Sequence, residues 1–435
     1  MPAFSNREVP FKFRGRNYVF SLSHAIFSSA GIDTGSRLLL KVFSKYIDED
    51  VHERKPLPLS VLDAGSGCGV LGVCAAGALL DIIKEPAASP EGKASSSGQF
   101  HVRAQDRDEL ARGFTEYNAC RNNIPAAVLE ARAEPLLAGP LGARWDLIIT
   151  NIPAKAGGPV LEDFVRRSAA LLNPNGRVFM VAVNTLADFF RERIDEAGAA
   201  LLHEEQGTEH RVFVYGHGDA KDATAAVQTG PGFLDRYPFY IRHSDTYAIE
   251  NIPVHIDAIH GCGDFDSPGD DILAAAKLCS RMGENLSSGS WLIHEPCQGH
   301  FAVWLAKFTG EAPAPKLALA GRNILALEAS QHNLETNSPG IAPLLIPAAD
   351  LLCDREALLG AGPYSFIAAF PEIVPQANRH TAAWESLEAL LAPGGIFLVS
   401  LGSSDAERFD RLKPKGFSRL GDAKRKGFRA LAYTR

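Results

Sequence analysis

The stretch VLDAGSGCGVLG, residues 61–72, carries the clearest structural pattern of this chain. Its first apolar run carries Asp63 and is followed at once by Gly65, Gly67 and Gly69, after which a second apolar run begins. Glycines directly after a buried strand let the backbone turn tightly and approach a ligand, and the following helix presents its N-terminus there. The stretch therefore predicts a strand, a ligand-binding loop and a helix.

The charge and spacing of this loop indicate which ligand it takes. The dinucleotide fingerprint G-x-G-x-x-G is not met, because Val70 stands where its third glycine should be. Asp63 would face a pyrophosphate unfavourably but suits a ligand that carries an ammonium and a sulfonium group. The next predicted strand ends in Asp106, the usual place for a carboxylate that accepts ribose hydroxyls. Adenosine, a cationic amino acid and no phosphate describe S-adenosylmethionine.

The same order of apolar strands and amphipathic helices occurs twice along the chain. The segments VLDAGSGCGVLG, FHVRAQD, WDLIITN and LLNPNGRVFMVAV are followed by WLIHEPCQGHFAVWLAK, NILALEAS, YSFIAAF and LLAPGGIFLVSL. Asp106 maps onto Glu328 at an offset of 222. Asp146 maps onto Ser365 at an offset of 219, which indicates an internal duplication. Strands alternating with helices predict an α/β fold with two tandem doubly wound domains.

Two polar segments interrupt this pattern. HGDAKDATAAVQTGPG, residues 217–232, is small, polar and punctuated by glycine and proline, which is typical of a linker. We therefore expect one domain over residues 1–216 and a second over residues 233–435. KEPAASPEGKASSSGQ, residues 84–99, has low complexity and predicts a disordered surface insertion in the first domain.

Composition limits the class of protein. Of the 435 residues, 46% are hydrophobic and 22% charged, the balance of an ordinary globular protein. The seven cysteines are scattered and never spaced C-x-x-C, which disfavours a disulfide framework or a zinc knuckle and favours a reducing cytoplasm. No signal-peptide pattern opens the chain, and no apolar run reaches the roughly 18 residues of a membrane span. We therefore expect a cytoplasmic protein.

The net charge of −7 means that any contact with RNA must be made by a local patch. Two basic runs are candidates, although each is equally well explained as a solvated face. They are Arg7, Lys12, Arg14 and Arg16 near the start, and Lys413, Lys415, Arg419, Lys424, Arg425, Lys426 and Arg429 near the end.

These features together resemble the class I S-adenosylmethionine-dependent methyltransferases, and the resemblance covers the whole first half. Residues 61–69 are similar to the first motif of that family, Asp106 to its ribose acid, and Glu134 falls near the strand that flanks adenine. The alternative is a glycine turn needed only for packing of a helix on a sheet. The resemblance implies a Rossmann-like methyltransferase domain whose cofactor-binding residues are Asp63, Gly65, Ser66, Gly67, Gly69, Asp106, Arg107, Glu134 and Asn151.

Asn151, Ile152, Pro153 and Ala154 follow the predicted fourth strand, WDLIIT. They are similar to the N-P-P-Y/F motif of enzymes that methylate planar nitrogens, namely exocyclic base amines and the glutamine amide. The asparagine carbonyl and a backbone carbonyl can accept the two N–H bonds of such a poor nucleophile. Ile152 replaces the first proline and Ala154 replaces the aromatic that would stack on a base, so the stacking surface must come from elsewhere. The alternative is a strand-ending turn without chemistry.

The upstream segment FSLSHAIFSSAGIDTGSRLLL, residues 20–40, narrows the family. It resembles the segment that precedes the first motif in the small-domain methyltransferases, which include duplicated ribosomal RNA guanine-N2 methyltransferases. In those enzymes the active domain is the C-terminal one, whereas here the first half carries the motifs. The alternative is ordinary core and helix cap. By this resemblance the residues that line the cofactor pocket are Phe27, Asp33, Gly35 and Ser36.

The second half has lost most of these residues. Its glycine loop reads HEPCQGH, residues 294–300, with one glycine of three, and its N-x-P position reads Ala369-Phe370-Pro371. A helical zinc site is disfavoured, because Gln298 stands four residues after His294 and Pro296 would break the helix. We expect a degenerate, catalytically silent domain that supports the first domain, holds RNA or forms an oligomer.

The sequence therefore predicts an S-adenosylmethionine-dependent methyltransferase with no metal and no membrane partner. Its expected substrate is an exocyclic base amine of RNA, guanine N2 of ribosomal RNA above all, as naked RNA or within a ribosomal subunit. One alternative is a protein glutamine or small-molecule N-methyltransferase, which the acidic composition favours. Another is a non-catalytic RNA-binding or assembly factor, against which the intact first motif speaks.

Overall fold

A computed structural model of the protein describes residues 2–26, 30–84, 100–139, 143–219, 230–263, 266–286, 289–310, 316–350, 355–372 and 380–435. The chain divides into two compact units, residues 1–228 and 229–435. Nearly all of the low-complexity segment (85–99) and most of the predicted linker (220–229) lie outside the described residues. No helix in the described ranges is both long and apolar enough to cross a membrane.

The first unit starts with a β-hairpin and continues as alternating strands and helices. Its strands are β1 (Arg7–Phe13), β2 (Arg16–Leu22), β3 (Ser60–Ala64), β4 (His101–Asp106), β5 (Leu129–Ala133), β6 (Trp145–Asn151), β7 (Leu172–Val183), β8 (Ala200–Gln206) and β9 (His210–Gly216). Its helices are α1 (Thr34–His52), α2 (Val70–Lys84), α3 (Glu109–Arg121), α4 (Gly158–Ala170) and α5 (Ala187–Glu196).

The described strands β3 to β9 form one seven-stranded sheet in the order β5-β4-β3-β6-β7-β9-β8. All neighbours are parallel except that β9 runs antiparallel to both β7 and β8. From β3 the chain adds β4 and β5 on one side of the sheet and then adds β6 on the other side. Ligands bind in the crevice at such a switch point, outside the carboxyl ends of the strands. The glycine loop after β3 therefore lies at the expected ligand crevice.

Helices cover both faces of this sheet. On one face, Phe164 of α4 and Phe190 of α5 join a buried cluster with Ile148 and Val178 of the sheet. The next residue of β7, Phe179, points to the other face because side chains alternate along a strand, and it meets Phe43 of α1 edge-on at 5.9 Å between ring centroids. This packing fixes α1 relative to the sheet.

Two asparagines of α3 hold the N-terminal hairpin in place. Asn118 accepts from Ser21 N (2.8 Å) and donates to Ser21 O (3.0 Å), and Asn122 does the same with Val19 N and O (2.9 and 3.0 Å). A side-chain amide offers the same donor and acceptor pair as a backbone residue, so each asparagine extends β2 by one ladder partner. The hairpin is thereby attached to the helix that follows β4.

The second unit repeats this order. Its strands are β10 (Ile241–Ile249), β11 (Ile252–Ile259), β12 (Ser290–His294), β13 (Lys316–Gly321), β14 (Leu344–Pro347), β15 (Tyr364–Ala369), β16 (Leu391–Gly402), β17 (Ser418–Arg425) and β18 (Phe428–Thr434). Its helices are α6 (Phe233–Arg236), α7 (Asp270–Met282), α8 (His300–Thr309), α9 (Ile324–Asn337), α10 (Arg355–Ala361), α11 (His380–Leu390) and α12 (Ser403–Arg411).

The sheet order of the second unit within the described residues is β14-β13-β12-β15-β16-β18-β17, the same as in the first. Asn333 and Asn337 of α9 hold β11 through the N–H and C=O groups of Asp257 and His255. The predicted α/β fold with two tandem doubly wound, Rossmann-like domains is confirmed.

The predicted pairing of Asp106 with Glu328 is wrong. The segment NILALEAS does not form the second strand of this sheet but the start of α9, where Asn323 caps the helix by accepting from Leu325 N (3.2 Å). The strand is the preceding run KLALAG, so Gly321 and not Glu328 corresponds to Asp106. Two adjacent apolar runs compete for the strand position, and the leucines, alanines and glutamate of the second favour a helix.

Candidate active site

The glycine loop after β3 holds three residues in the left-handed backbone region. The φ angles are 81° at Gly65, 54° at Gly67 and 81° at Gly69. A Cβ at Gly69 would stand 3.0 Å from both the backbone and the side chain of Thr115, so this position needs glycine for space as well as for φ. The loop is tied to β4, because Gly65 N and Ser66 N both donate to Gln105 O (2.8 and 3.0 Å).

Asp63 is completely buried at the end of β3. Its Oδ2 accepts from Gly72 N at 2.7 Å, while its Oδ1 has no hydrogen-bond partner among the described residues. Burial raises the pKa of this carboxyl to about 7, and the nearby charge of Asp106 adds to the increase. A cationic group bound at the loop would relieve this unfavourable burial.

Asp106 connects the end of β4 to the glycine loop. Its Oδ2 accepts from Gly67 N and its Oδ1 from Asp108 N, both at 3.0 Å. Burial and the negative charge of Asp108 raise the pKa of Asp106. The neighbouring Arg107 is exposed. The half-buried Asp106 carboxylate thus stands beside the loop, at the strand end where a ribose-binding acid is expected.

Glu134, predicted to flank adenine, follows β5 and forms an ion pair with Arg103 of β4. Gln105 also holds this turn in place, because its Nε2 donates to Ala138 O at 2.8 Å. Leu136 of this turn lies over the glycine loop, 3.7 Å from the position of a Cβ at Gly65. The ion pair with Arg103 makes Glu134 a residue that shapes this turn.

Asn151 lies at the end of β6 and contacts the segment that opens α1. Its Nδ2 donates to Asp33 Oδ1 (3.0 Å) and to Ser36 Oγ (3.1 Å). Asp33 is the N-cap of α1, because its Oδ1 accepts from Ser36 N (2.9 Å) and its Oδ2 from Ser36 Oγ (2.7 Å). The structure therefore brings together three residues that the sequence placed in two separate motifs.

Gly35 and His210 complete this corner. A Cβ at Gly35 would come within 2.8 Å of His210 Cδ2, and Thr34 Oγ1 lies 3.1 Å from His210 Nδ1. His210 opens β9, far along the chain from α1, and no motif in the sequence pointed to it. Its ring occupies the space that a side chain at position 35 would need.

The residues after Asn151 take the form of a short turn. Ile152 is buried and its N–H donates to Val181 O (3.2 Å), whereas Pro153 and Ala154 are exposed. Pro153 has an extended backbone (φ −72°, ψ 125°), and its carbonyl accepts from Ala156 N at 2.9 Å. The predicted cofactor contact Phe27 lies outside the described residues.

The structure pairs most arginines of the two basic runs. Arg14 and Arg16 form ion pairs with Asp48 (2.7 Å) and Asp81 (3.2 Å) in the first run. In the second run the pairs are Arg419 with Asp410 and Asp422, Arg425 with Asp270, and Arg429 with Asp422. Such pairing weakens the attraction for phosphates, and Lys415, Lys424 and Lys426 are the exposed lysines of that run. No group of three or more metal-ligating side chains occurs among the described residues.

These residues fit S-adenosylmethionine. The loop leaves a space that a side chain would fill, and Asp106 stands at the neighbouring strand end. Asp63 presents a buried oxygen that no residue of the described ranges contacts by a hydrogen bond. A ligand with an ammonium group and a ribose matches the charge and the acceptors at this switch point.

Comparison with known proteins agrees with this fit. The model of the methyltransferase small-domain family matches residues 17–83 and 92–202. The T. thermophilus 16S rRNA N2-guanine methyltransferase RsmC, solved in complex with AdoMet and guanosine, is similar over 99% of both chains, with a TM-score of 0.63 and 16% identity. A ribosomal protein L11 methylase from Lactobacillus delbrueckii subsp. bulgaricus has 19% identity over 40% of this chain and 78% of its own, with a TM-score of 0.31. TrmN from Thermus thermophilus has 25% identity over 42% of this chain and 47% of its own, with a TM-score of 0.28.

Proposed function

We propose that this chain, whose residues 17–83 and 92–202 match the model of the methyltransferase small-domain family, uses S-adenosylmethionine to methylate an exocyclic base amine of RNA. The proposed target is guanine N2 of ribosomal RNA. The observation that carries the proposal is the arrangement of Asn151, whose N–H side is bound by Asp33 and Ser36. The carbonyl oxygen of the same amide is left to accept from a substrate N–H.

The chemistry of a base amine explains this arrangement. The lone pair of an exocyclic amine is delocalised into the ring, so the nitrogen reacts only when it is held in line with the methyl donor. Asn151 Oδ1 and the backbone carbonyl of Ile152 would accept its two N–H bonds and stabilise positive charge as it develops there. Pro153 restricts the backbone of Ile152 to extended conformations and so orients that carbonyl.

The cofactor would be held by residues of the loop and the two strands beside it. Asp63 would face its ammonium group, and Asp106 would face its ribose hydroxyls. The loop of residues 65–69 would lie along the part of the cofactor between these two groups. When bound, S-adenosylmethionine supplies an electrophilic methyl group on a sulfonium. The methylated amine is cationic and loses its proton readily to water, so the site needs no general base.

The similarity to a ribosomal RNA methyltransferase over nearly the whole length of the chain supports the choice of ribosomal RNA. RsmC shares the two-domain fold over 99% of both chains, and its name identifies it as a 16S rRNA N2-guanine methyltransferase. We therefore propose ribosomal RNA or a ribosomal subunit as the partner, with the second domain holding RNA or supporting the first. We also propose the reducing cytoplasm as the location, because the seven cysteines of the sequence are scattered and never spaced C-x-x-C.

The test is transfer of a labelled methyl group from S-adenosylmethionine to unmodified ribosomal RNA and, in parallel, to assembled ribosomal subunits. The product is digested to nucleosides, and wild type is compared with Asn151→Ala. Label in N2-methylguanosine that disappears in the variant is the expected result. Label in protein glutamine, or cofactor binding without transfer to any RNA, would contradict the proposed substrate.

A further inference from the structure

We propose that Asp33 and Ser36 are positioning residues that decide which end of the Asn151 amide meets the substrate. This inference rests on the proposed function. It gives Asp33 and Ser36, which were expected to line the cofactor pocket, a second role that they exert through Asn151. The contacts are mutual: Asp33 Oδ1 accepts from both Asn151 Nδ2 (3.0 Å) and Ser36 N (2.9 Å), and Ser36 Oγ accepts from Asn151 Nδ2 (3.1 Å).

The hydrogen-bond roles in this cluster allow one orientation of the amide. An ionised carboxylate only accepts hydrogen bonds, so Asp33 requires the N–H side of Asn151. The single hydroxyl proton of Ser36 is donated to Asp33 Oδ2 (2.7 Å), so towards Asn151 this hydroxyl can only accept as well. Reversing the amide would place its oxygen against two acceptors. Asn151 Oδ1 is thereby kept for another partner.

This orientation selects the type of atom that is methylated. A fixed carbonyl oxygen accepts from an amine N–H, whereas it repels ring nitrogens and carbonyl oxygens that carry lone pairs. A site built to bind an N–H group rejects groups that lack it far more strongly than it rejects a difference in size. Asp33 and Ser36 therefore contribute to specificity for amines without touching the substrate.

The second domain supplies an independent observation. Asp33 is the N-cap of α1 and Gly269 the N-cap of α7, and the third helical residue is Ser36 in one and Ile272 in the other. Sheet register aligns Asn151 with Phe370. All three members of the cluster are absent together from the second domain, although the backbone that carries them is retained. They behave as one unit that is separable from the fold.

The test exchanges the roles of the two side chains. Asn151→Asp places two carboxylates within hydrogen-bond distance, so they share a proton, and methyl transfer should fall at least tenfold and fall further as pH rises. In the double variant Asp33→Asn/Asn151→Asp, the new amide at position 33 can donate to the new carboxylate at position 151, whose other oxygen accepts from the substrate. We expect the double variant to recover at least tenfold over Asn151→Asp and to lose the pH dependence.

Asp33→Ser is the control for folding, because serine keeps the N-cap of α1 but lacks the second carboxylate oxygen. It should lower kcat at least tenfold, and by a larger factor than it raises the KM for S-adenosylmethionine. A double variant no more active than Asn151→Asp at any pH, or a folded Asp33→Ser with wild-type kcat, would overturn the inference.

A readout without activity separates this inference from the proposed function. The thermal stability of Asn151→Asp should decrease more steeply than that of wild type as pH rises from 5 to 8, and adding Asp33→Asn should restore the wild-type slope. If wild type transfers no methyl to RNA but this coupling is seen, the proposed function fails while the network stands. If transfer to RNA occurs and neither the rescue nor the coupling is seen, only the network is wrong.

Discussion

The loops at residues 65–69 and 295–299 have the same backbone and different side chains. β3 and β12 both contain five residues, so Gly65, Gly67 and Gly69 correspond to Glu295, Cys297 and Gly299. Their φ angles are 81°, 54° and 81° in the first domain and 54°, 57° and 90° in the second. Two side chains thus occupy left-handed positions in the second loop, a conformation that L-residues adopt at a cost of about 1–2 kcal/mol each.

The side chains around the second loop no longer suit the cofactor. Asp63 is replaced by Ile293 and Asp106 by Gly321 at the equivalent strand positions. Glu295 reaches over Gly321, within 3.1 Å of where a Cβ would be, and accepts from Arg322 N at 3.0 Å. A carboxylate of the loop thereby fills the crevice that Asp106 borders in the first domain.

The comparison shows that this loop has two separable roles. Its left-handed turn is part of the fold, because it connects a buried strand to a buried helix in both domains. Thr115 and Ser330 make the same close contact with the last glycine. The proposed ligand chemistry depends on the side chains of Asp63, Asp106 and Asn151, whose counterparts in the second domain are Ile293, Gly321 and Phe370.

The largest expected effect comes from Asn151, at the end of β6, and its counterpart Phe370 in the second domain. Asn151→Ala should lower methyl transfer about a hundredfold to a thousandfold, the usual loss on removal of one hydrogen-bonding group that acts in the transition state. Phe370→Leu, the matched change in the second domain, should leave kcat per folded molecule unchanged. Single-turnover assays on both variants check this. Equal losses would show that the second domain takes part in catalysis.

The next effect is a pH dependence that only the first domain should show. Burial raises the pKa of Asp63 to about 7. Between about pH 4 and 7 the native protein therefore holds a proton on Asp63 that the unfolded chain has released. The stability of the cofactor-free protein should fall as pH rises through this window. The cofactor ammonium favours the carboxylate, so affinity should increase towards pH 7 by up to about tenfold per pH unit. Calorimetric titration from pH 5 to 8 measures this increase. Asp63→Asn should remove it, and an unchanged slope in that variant would assign the proton to another group.

A smaller effect should be equal in the two domains. A Cβ at Gly69 or at Gly299 would stand 3.0 or 2.9 Å from backbone atoms of the neighbouring helix, and both positions have positive φ. Substitution by alanine should lower the free energy of unfolding of the affected domain by about 1–3 kcal/mol. Hydrogen exchange resolves the two domains. Only Gly69→Ala should also weaken cofactor binding, and a loss of binding in Gly299→Ala would indicate a ligand in the second domain.

The smallest effect should be a gain. Cys297→Gly relieves a left-handed φ of 57° and should stabilise the second domain by less than about 1 kcal/mol, because the added freedom of the unfolded chain offsets part of the relief. The reciprocal change Gly67→Cys should destabilise the first domain by a similar or larger amount. Urea unfolding of both variants measures the difference. A destabilised Cys297→Gly would mean that the thiol makes a contact stronger than its 3.5 Å approach to Glu295 O suggests.

Several contacts that build the two domains escaped sequence reasoning. The spacing of Asn118 and Asn122, repeated by Asn333 and Asn337, is a signal of the duplication that could have been found. It would have aligned Asp106 with Gly321 and avoided the incorrect pairing with Glu328. The contact of Gly35 with His210 had no such signal, because it joins residues 175 apart through packing alone. The predicted N-x-P counterpart beginning at Ala369 was displaced by one residue, since the register aligns Ala369 with Thr150.

The sequence pattern predicted the alternation of strands and helices in the first domain, the duplication, and the glycine loop with its two acids, because periodicity, glycine spacing and strand-end carboxylates are local properties of the chain. Three features depend on tertiary packing. One oxygen of the fully buried Asp63 has no hydrogen-bond partner within the described part of the chain, most arginines of the basic runs form ion pairs, and Asp33 and Ser36 bind Asn151 across 118 and 115 residues. These are consequences of packing and of hydrogen-bond geometry between distant segments, where burial and the available donors determine the charge and orientation of each group.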